Sequence, residues 1–326
     1  MRALLCKEFG PADKLSLEEI DDPTPGKGEV VVDIKAAGIN FPDTLIIEGK
    51  YQFKPPFPFI PGGEASGIVS ALGEGVDNVA VGDRVIAQML VGAFAEKVAV
   101  NATMLVPMPD RMDYATAAGI TVTYCTSYHA LKQRADIQPG ETLLVLGAAG
   151  GVGLAAVELG KAMGATVIAA ASTADKLAVA KAAGADHLIN YTDEDLKARA
   201  KELTGGKGVD VIYDPVGGDF AETTLRAIAV NGRYLVVGFA AGDIPKIPLN
   251  LTLLKQCQVV GVFWGAWARS NPADHMANFQ ELFAMFEAGK IKPLVSQIFS
   301  LEDFKDAFDC LTGRRAKGKV VFQMNQ

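Results

Sequence analysis

The chain has 326 residues, a length that suits about two domains. Of these residues 49% are hydrophobic and 21% are charged, a composition that fills hydrophobic cores and excludes a disordered chain. The 31 basic and 38 acidic residues give a net charge of −7, which argues against nucleic acid as a partner, because phosphate contacts need a basic face.

The cysteines and the apolar runs indicate the cellular compartment of the protein. Cys6, Cys125, Cys257 and Cys310 are scattered without a CxxC pair, which suits a reducing compartment and argues against a clustered zinc site. The start, MRALLCKEFG, does not have the pattern of a signal peptide, and no apolar run approaches the length of a membrane span. We therefore expect a cytoplasmic protein with no membrane partner.

The first part of the chain, residues 1–118, is predicted to be a β-rich domain. Short runs with β-branched residues, such as VVVDIKAAGIN, SGIVSALG and AEKVAV, are broken by glycine, proline and aspartate. Residues 113–134 then fit a helix that is interrupted or kinked near Gly119, with Asp113 as its N-cap.

A second domain is predicted over residues 119–264, where strands alternate with helices. The strands are TLLVLG, TVIAAA, HLIN, VDVIYD, GRYLVVG and QVVGVF, and the helices fall near 151–163, 174–183, 193–203, 219–229 and 249–256. Apolar strands alternating with helices predict an α/β fold with a doubly wound, parallel six-stranded sheet. Residues 265–326, with helices at 272–288 and 302–312, are predicted to return and complete the first domain.

The glycine-rich turn in LLVLGAAGGVGLAAVELG carries the clearest chemical signal. Gly147, Gly150 and Gly153 lie between a strand and a helix, so the backbone can approach a pyrophosphate at a helix N-terminus. Glycine turns also serve packing alone, but the complete strand–turn–helix–strand context favours a dinucleotide site. Its contacts are predicted at Ala149, Gly150, Gly151 and Val152.

The end of the second strand indicates which dinucleotide binds. The sequence there is AASTADK, without the acidic residue that usually holds an adenosine ribose. Ser172 and Lys176 offer a hydroxyl and an ammonium to a 2′-phosphate, and Tyr191 could reach the same pocket. Alternatively, Lys176 is a solvated lysine that Asp175 neutralises. The pattern favours NADPH over NADH.

Several motifs together indicate a family. AAGINFPDT, IPGGEASGIVSALGEGV, VGDRV, PGETLLVLGAAGGVG, AAGADHLINY and GKGVDVIYDPVGG resemble the medium-chain dehydrogenase/reductase superfamily, and most closely its zinc-independent NADPH:quinone oxidoreductases (the zeta-crystallin-like branch). The resemblance covers essentially the whole chain. It implies a GroES-like β-rich catalytic domain, a Rossmann domain, and a homodimer or homotetramer formed through the strand QVVGVF.

The same resemblance shows where a catalytic zinc ion would have its ligands. Zinc alcohol dehydrogenases of this superfamily carry a ligand histidine directly before the glutamate of the segment IPGGEASGIV, where this chain has Gly63 before Glu64. Their first cysteine ligand is also missing, because AAGIN ends in Asn40. With too few ligands for a tetrahedral zinc, we expect no metal, and we expect Glu64 to brace the site through a basic or backbone partner.

Three residues are candidates for catalysis. Asn40 could hydrogen-bond the cofactor or the acceptor oxygen, or simply form a turn at a strand end. Asp43 could orient its neighbours or bind the cofactor ribose, or cap a helix. Tyr51 lies where related enoyl-thioester reductases carry a tyrosine proton donor, although it could equally be a loop aromatic that packs on PPFPF. The resemblance further implies cofactor contacts by Thr126, Phe239, Phe263 and Arg315, the last in a basic stretch with Lys317 and Lys319.

The function that follows is transfer of a hydride from NADPH to a small-molecule quinone or conjugated enone. Such acceptors delocalise negative charge onto oxygen and do not need a Lewis acid to activate them. Two alternatives remain open. One is an enoyl-thioester reductase, of the 2-enoyl-CoA type, on the same fold, and the other is a non-catalytic NADPH-binding protein.

Overall fold

The computed structural model describes residues 1–324. The strands are β1 (Arg2–Leu5), β2 (Ser16–Glu19), β3 (Glu29–Ile39), β4 (Glu64–Leu72), β5 (Arg84–Gln88), β6 (Lys97–Asn101), β7 (Leu105–Pro107), β8 (Thr142–Leu146), β9 (Thr166–Ala171), β10 (His187–Asn190), β11 (Val209–Asp214), β12 (Ile228–Val236), β13 (Gln258–Gly261), β14 (Val295–Phe299) and β15 (Lys319–Gln323).

The helices follow the same chain order. They are α1 (Phe41–Ile47), α2 (Tyr114–Ile120), α3 (Thr126–His129), α4 (Gly151–Ala162), α5 (Ala174–Ala182), α6 (Leu196–Leu203), α7 (Phe220–Leu225), α8 (Asn250–Lys255), α9 (Trp264–Ser270), α10 (Pro272–Glu287) and α11 (Phe304–Thr312). The chain divides into two compact units. The first holds residues 1–122 and those from 293 onwards, and the second is Thr123–Lys292.

The first unit is built on a seven-stranded sheet in which β3 is the central strand. The sheet order is β14-β15-β3-β4-β5-β7, and β6 pairs with β3 next to β15. The strand β3 is antiparallel to β4, β6 and β15. Its core includes the rings of Phe94, Phe308 and Phe322, which pack edge to face. This architecture confirms the predicted GroES-like, β-rich domain.

The second unit contains the predicted parallel sheet of six strands. The strand order is β10-β9-β8-β11-β12-β13, and neighbouring strands are parallel. In this doubly wound order the sequence reverses direction between β8 and β11, the position at which such sheets bind dinucleotides. The prediction of a Rossmann sheet is therefore confirmed.

The boundaries of the units differ from the predicted ones. The second unit begins at Thr123 rather than at residue 119, and it ends at Lys292 rather than at residue 264. The physical reason is that α10 packs within this unit, where the side-chain amide of Gln133 donates to Asn278 at 2.9 Å and the ammonium of Lys132 lies 2.7 Å from the Glu281 carboxylate. The chain returns to the first unit only at Pro293.

The helical segment predicted over residues 113–134 is present. Asp113 caps it as expected, because its carboxylate accepts from the N–H of Thr116 at 2.8 Å. The α-helix is interrupted just after Gly119, where it widens into π turns at Thr121–Cys125 and again at Ala130–Arg134. That glycine serves close packing, since a Cβ there would lie 2.7 Å from the Cγ of Lys319.

Candidate active site

Four polar side chains meet inside the first unit, where one strand ends and two begin. Asn40 follows β3, Glu64 opens β4, and Lys319 opens β15. The antiparallel pairing of these strands brings the three residues together across the sheet. Asp43, in the first turn of α1, is the fourth member. All four are buried, and they are called the Lys319 cluster below.

Hydrogen bonds connect the members of the Lys319 cluster. The ammonium of Lys319 lies 2.5 Å from Glu64 Oε1 and donates to Asn40 Oδ1 at 2.5 Å. The Nδ2 of Asn40 donates to the same Glu64 oxygen at 2.8 Å. The second oxygen of Glu64 accepts from the N–H of Val122 at 2.8 Å. Glu64 therefore has both a basic and a backbone partner, as the sequence led us to expect.

The structure contradicts the role that the resemblance implies for Lys319. The resemblance groups this lysine with the basic residues that bind cofactor phosphates, and for Lys319 that interpretation is wrong. Its side chain is only 7% exposed and is paired with a fully buried carboxylate. In the sequence, the one sign of this role is that Lys319 directly precedes the apolar run of β15, in which Lys319–Phe322 are all buried. A buried lysine needs an acceptor.

Asp43 supports the same corner from α1. Its carboxylate accepts from the N–H of Asn40 at 2.7 Å, so it holds the backbone of that residue. Burial raises the pKa of Asp43 to about 7, against the lowering effects of the Asn40 hydrogen bond and the Lys319 charge, while Glu64 raises it further. The carboxyl group is therefore poised to change its charge near neutral pH.

The remaining candidates of the first unit lie at its surface or its core edge. Tyr51 is half-buried and packs against the apolar core around Phe94 and Phe322. Arg315 is exposed, and its N–H donates to the carbonyl of Cys310 at 2.9 Å. Both residues keep their cofactor or catalytic roles as predictions.

In the second unit the glycine-rich turn has the shape that a dinucleotide needs. Gly147 has a φ of +57°, which favours glycine. A Cβ on Gly153 would lie 2.2 Å from the carbonyl oxygen of Gly147, so only glycine lets α4 pack on the turn. Ala149 and Gly150 lead into α4, which begins at Gly151. The N–H groups at this helix end form a cradle that fits a pyrophosphate.

One support of this turn was not recognised in the sequence. The hydroxyl of Ser127 donates to the carbonyl of Val152 at 2.9 Å and lies 2.8 Å from the hydroxyl of Tyr213. Both hydroxyls are fully buried in the second unit. They fix the first turn of α4 from below, and no local sequence pattern connects three residues so far apart.

The predicted 2′-phosphate residues gather where β9 and β10 end. Lys176 Nζ lies 3.4 Å from the hydroxyl of Ser172, and the N–H of Tyr191 donates to the carbonyl of Ala171 at 3.2 Å. The ring of Tyr191 packs on Phe220 with centroids 4.6 Å apart. A hydroxyl and an ammonium thus lie side by side at the carboxyl end of β9, which suits a phosphate group.

The other cofactor candidates of the second unit are half-buried or exposed. Thr126 opens α3 and is half-buried. Phe239 follows β12 and lies against Gly217, where a Cβ would be 2.9 Å from its ring. Phe263 follows β13 and is 54% exposed. Both phenylalanines thus lie at carboxyl ends of the sheet, the edge at which doubly wound folds bind ligands.

Neither a metal-binding group of side chains nor a membrane-spanning helix is found within residues 1–324. Within that range no three or more His, Cys, Asp and Glu side chains are grouped so that they could bind a metal ion. None of the helices in the described part of the chain combines the length and the apolar character required to span a bilayer.

Comparisons with known proteins agree with this architecture. Residues 26–110 match the alcohol dehydrogenase GroES-like domain, and residues 151–282 match the zinc-binding dehydrogenase family. The chain is 39% identical to a quinone oxidoreductase-like protein 2 homolog from Nematostella vectensis, with 100% of this chain and 89% of that protein covered. It is 37% identical to quinone oxidoreductase 1 of Escherichia coli, with 98% and 94% covered.

Solved structures give the same result. The Escherichia coli quinone oxidoreductase complexed with NADPH superimposes with a TM-score of 0.93 at 33% identity, and covers 99% of this chain and 100% of that one. The CurK enoyl reductase superimposes with a TM-score of 0.88 at 27% identity, with 99% of each chain covered. The chain therefore belongs to the quinone oxidoreductase family of the medium-chain dehydrogenase/reductase superfamily.

Proposed function

We propose that this oxidoreductase transfers a hydride from NADPH to a quinone or a conjugated enone. The observation that carries NADPH is the pair Ser172 and Lys176 at the end of β9, 3.4 Å apart, where an NADH site would place a carboxylate. The quinone is supported by the similarity to quinone oxidoreductases over nearly the whole chain.

Different residues of the chain bind different parts of NADPH and of the acceptor. The N–H groups that open α4, at Gly151 and Val152, hold the pyrophosphate. Ser172 and Lys176 hold the 2′-phosphate, with Tyr191 beside them. When bound, the nicotinamide supplies the hydride, which carries two electrons. The proton that completes the reduced acceptor comes from Tyr51 or from water, and Asn40 hydrogen-bonds the acceptor oxygen or the nicotinamide amide.

We also propose that the reaction uses no metal ion. The support is the Lys319 cluster, in which an ammonium already occupies the position next to Glu64, and Gly63 offers no ligand atom. An ammonium there supplies the positive charge that a metal would otherwise bring to this carboxylate. Acceptors that spread charge through a conjugated system suit such a site.

A second candidate is an enoyl-thioester reductase. It is favoured by the similarity to CurK enoyl reductase, with a TM-score of 0.88. The two candidates share the fold and the cofactor site, and they differ in the acceptor. A non-catalytic NADPH-binding protein is the third possibility, which would bind the cofactor without turnover.

One assay separates these functions. We would follow NADPH consumption with 1,4-benzoquinone, 9,10-phenanthrenequinone and crotonyl-CoA, with NADH as the matched control donor. We expect turnover with the quinones and a preference for NADPH. Turnover with crotonyl-CoA alone would favour the thioester reductase, and tight NADPH binding without any turnover would contradict the enzyme. Stoichiometric zinc in the active protein would contradict the metal-free site.

The assembly we propose is a homodimer or homotetramer formed through β13. This strand is at one edge of the six-stranded sheet, and Val259 on it is 42% exposed. The neighbouring Leu249 and Leu253 on the α8 segment are 74% and 75% exposed. An open strand edge beside exposed leucines is typical of a surface that pairs with another chain. The cytoplasmic location stays a prediction.

A further inference from the structure

We propose that Lys319 is a positioning residue, which fixes the orientation of the Asn40 side chain for the reduction. This inference rests on the proposed function, because it gives Asn40 its role at the acceptor or the nicotinamide. Lys319 is 279 positions from Asn40 in the chain, and it acts on the reaction only through that amide.

The chemistry of the partners decides which way the amide points. An ammonium has donors only, so the atom of Asn40 at 2.5 Å from Lys319 must be the oxygen. A carboxylate has acceptors only when ionised, so the atom at 2.8 Å from Glu64 must be the nitrogen. A flipped amide would put oxygen against carboxylate and NH₂ against ammonium. The ion pair therefore selects one of two orientations that are otherwise similar in shape.

The fixed amide keeps one N–H for another partner. One hydrogen of Nδ2 is used by Glu64. Among residues 1–324 the other meets only the carbonyl of Gly38 at 3.4 Å, which is long for a hydrogen bond. That second N–H therefore remains available to an oxygen that gains negative charge as the hydride arrives. In the flipped orientation a carbonyl oxygen would face the same place and would repel it.

The backbone around the lysine is shaped to accommodate it. A Cβ on Gly119 would lie 2.7 Å from Lys319 Cγ. A Cβ on Gly38 would lie 2.2 Å from the carbonyl oxygen of Ala118, 2.5 Å from Glu64 Oε1 and 2.8 Å from Lys319 Cε. These two glycines lie on α2 and β3, so two separate elements leave room for the same ion pair.

Stability alone does not explain the ion pair. Lys319 and Glu64 are 7% and 0% exposed, and taking both charges out of water offsets much of their attraction. Apolar residues of similar volume often stabilise such a position equally well. Conversely, removing one member alone leaves a buried, unpaired charge and strongly destabilises the fold. The test must therefore neutralise both members together.

The decisive variant is the double substitution Lys319→Met/Glu64→Gln. It removes both charges of the ion pair together. Because the N–H of Val122 holds the oxygen of the new glutamine, this side chain no longer presents Asn40 with the acceptor that selects its Nδ2. We expect an unfolding midpoint in urea near that of the wild type and an unchanged Kd for NADPH. We expect kcat with 1,4-benzoquinone to fall by about 10- to 100-fold. The matched control is Arg233→Met/Glu141→Gln, a partly buried ion pair of the second unit, which should leave kcat unchanged.

Coupling to Asn40 distinguishes positioning from a general structural effect. In an Asn40→Ala background, the double substitution should lower kcat by less than about 2-fold, because the group it positions is already gone. A full, additive loss in that background would overturn the proposal, and so would a wild-type kcat in the double variant itself.

A readout without turnover separates this inference from the proposed function. The side-chain amide resonances of Asn40, assigned by their loss in Asn40→Ala, should be those of a single, slowly exchanging amide in the wild type. In the double variant these resonances should broaden or shift, because the orientation of the amide is no longer fixed by the ion pair. Unchanged resonances would overturn the positioning role even in an active enzyme. A wild-type protein that reduces no acceptor would contradict the proposed function and leave this result intact.

Discussion

The carboxylate of Glu158 in α4 accepts a hydrogen bond from the hydroxyl of Tyr124 at 2.5 Å. The N–H of Lys292 lies 3.2 Å from both oxygens of the same carboxylate. Tyr124 and Lys292 lie at the two ends of the second unit, Thr123–Lys292. One buried side chain of α4 thus bonds to residues at both ends of this unit.

Tyr124→Phe should destabilise the protein more at high pH than at low pH. Burial raises the pKa of Glu158 above its ordinary value of 4.5, and the bond from Tyr124 lowers it. A hydrogen bond to an ionised acceptor contributes about 1.5–3 kcal/mol, against about 1 kcal/mol for a neutral one. We therefore expect the loss of stability, measured by urea unfolding, to grow as the pH rises, because a larger fraction of Glu158 is then ionised.

The matched control for this prediction is Tyr128→Phe. Tyr128 also donates to a carboxylate, that of Glu281, but the Glu281 side chain is 47% exposed. Water can replace the lost bond there, so we expect a loss below about 1 kcal/mol at either pH. Equal losses for the two variants would contradict the buried role of Glu158.

Asp43→Asn should remove part of the pH dependence of stability. The pKa of Asp43 is about 7 in the folded protein against an ordinary value of 3.8. Because the folded value is raised, the folded state binds more protons, and stability falls as pH rises through this range. Asparagine cannot ionise and still accepts from Asn40. Relative to wild type, it should gain up to about 2.6 kcal/mol between about pH 5 and pH 8.

Urea unfolding of both proteins across this pH range tests the sign. The groups that act on Asp43 are Lys319 and Glu64, and both keep their partners in the variant. A constant difference between variant and wild type would show that Asp43 has no raised pKa. A difference that moved in favour of wild type at high pH would contradict the burial effect.

Two alanine substitutions separate the two uses of glycine in the turn after β8. Gly150→Ala should fold normally, because its Cβ would meet no neighbour closer than 3.4 Å, but the methyl group would keep the backbone from a pyrophosphate. We expect the Kd for NADPH to rise by about 10-fold or more. Gly153→Ala should lose about 1–3 kcal/mol of stability, because its Cβ would lie 2.2 Å from Gly147 O. Nucleotide titration and urea unfolding measure these effects, and an unchanged Kd for Gly150→Ala would refute the cradle.

Lys176→Ala should weaken NADPH and spare NADH. Loss of a charge-assisted bond to the 2′-phosphate costs about 1.5–3 kcal/mol, or roughly 10-fold or more in KM. The control is Lys181→Ala on the same helix, whose ammonium donates to the carbonyl of Ala185 at 3.1 Å. Steady-state kinetics with both cofactors would give the ratio. If Lys176→Ala keeps the wild-type NADPH/NADH ratio, the phosphate site lies elsewhere.

Val259→Lys should dissociate the proposed oligomer. The substitution places a charge on the exposed edge strand β13, which is how monomeric proteins prevent strand pairing. Val81→Lys is the control, because Val81 is 61% exposed in a loop of the first unit. Sedimentation velocity should show a smaller species for Val259→Lys only. A wild-type protein that is monomeric at all concentrations would contradict the assembly itself.

The sequence predicted best those strands whose ends depend on interactions between residues close together in the chain. The strands Thr166–Ala171, His187–Asn190 and Val209–Asp214 were predicted with their correct ends, because each is an apolar run that stops at polar or small residues. The strand β12 begins at Ile228 rather than at Gly232, because its pairing with β11 shifts register there. Asn231, with a φ of 63°, has the local character of a turn inside that strand.

The site was harder to predict than the fold for the same reason. The glycine-rich turn is local, so residues 147–153 could be recognised directly. Glu64, in contrast, finds its cation 255 positions later in the chain, and Glu158 finds its tyrosine 34 positions earlier. A buried charge needs a partner, but the sequence does not say which residue that partner is. The strand register of β3, β4 and β15 decides which residues meet.

The discontinuity of the first unit has a consequence for the order of folding. The second unit is one continuous stretch, Thr123–Lys292, so a growing chain can complete its parallel sheet early. The first unit must wait for β15, which covers the edge of β3 at Ala36–Ile39. Until then that edge is open, and Glu64 has no ammonium beside it. Among the described strands, β15 is thus the one that covers this edge of β3 and brings the Lys319 ammonium to Glu64, so the Lys319 cluster can form only after the whole second unit has been synthesised.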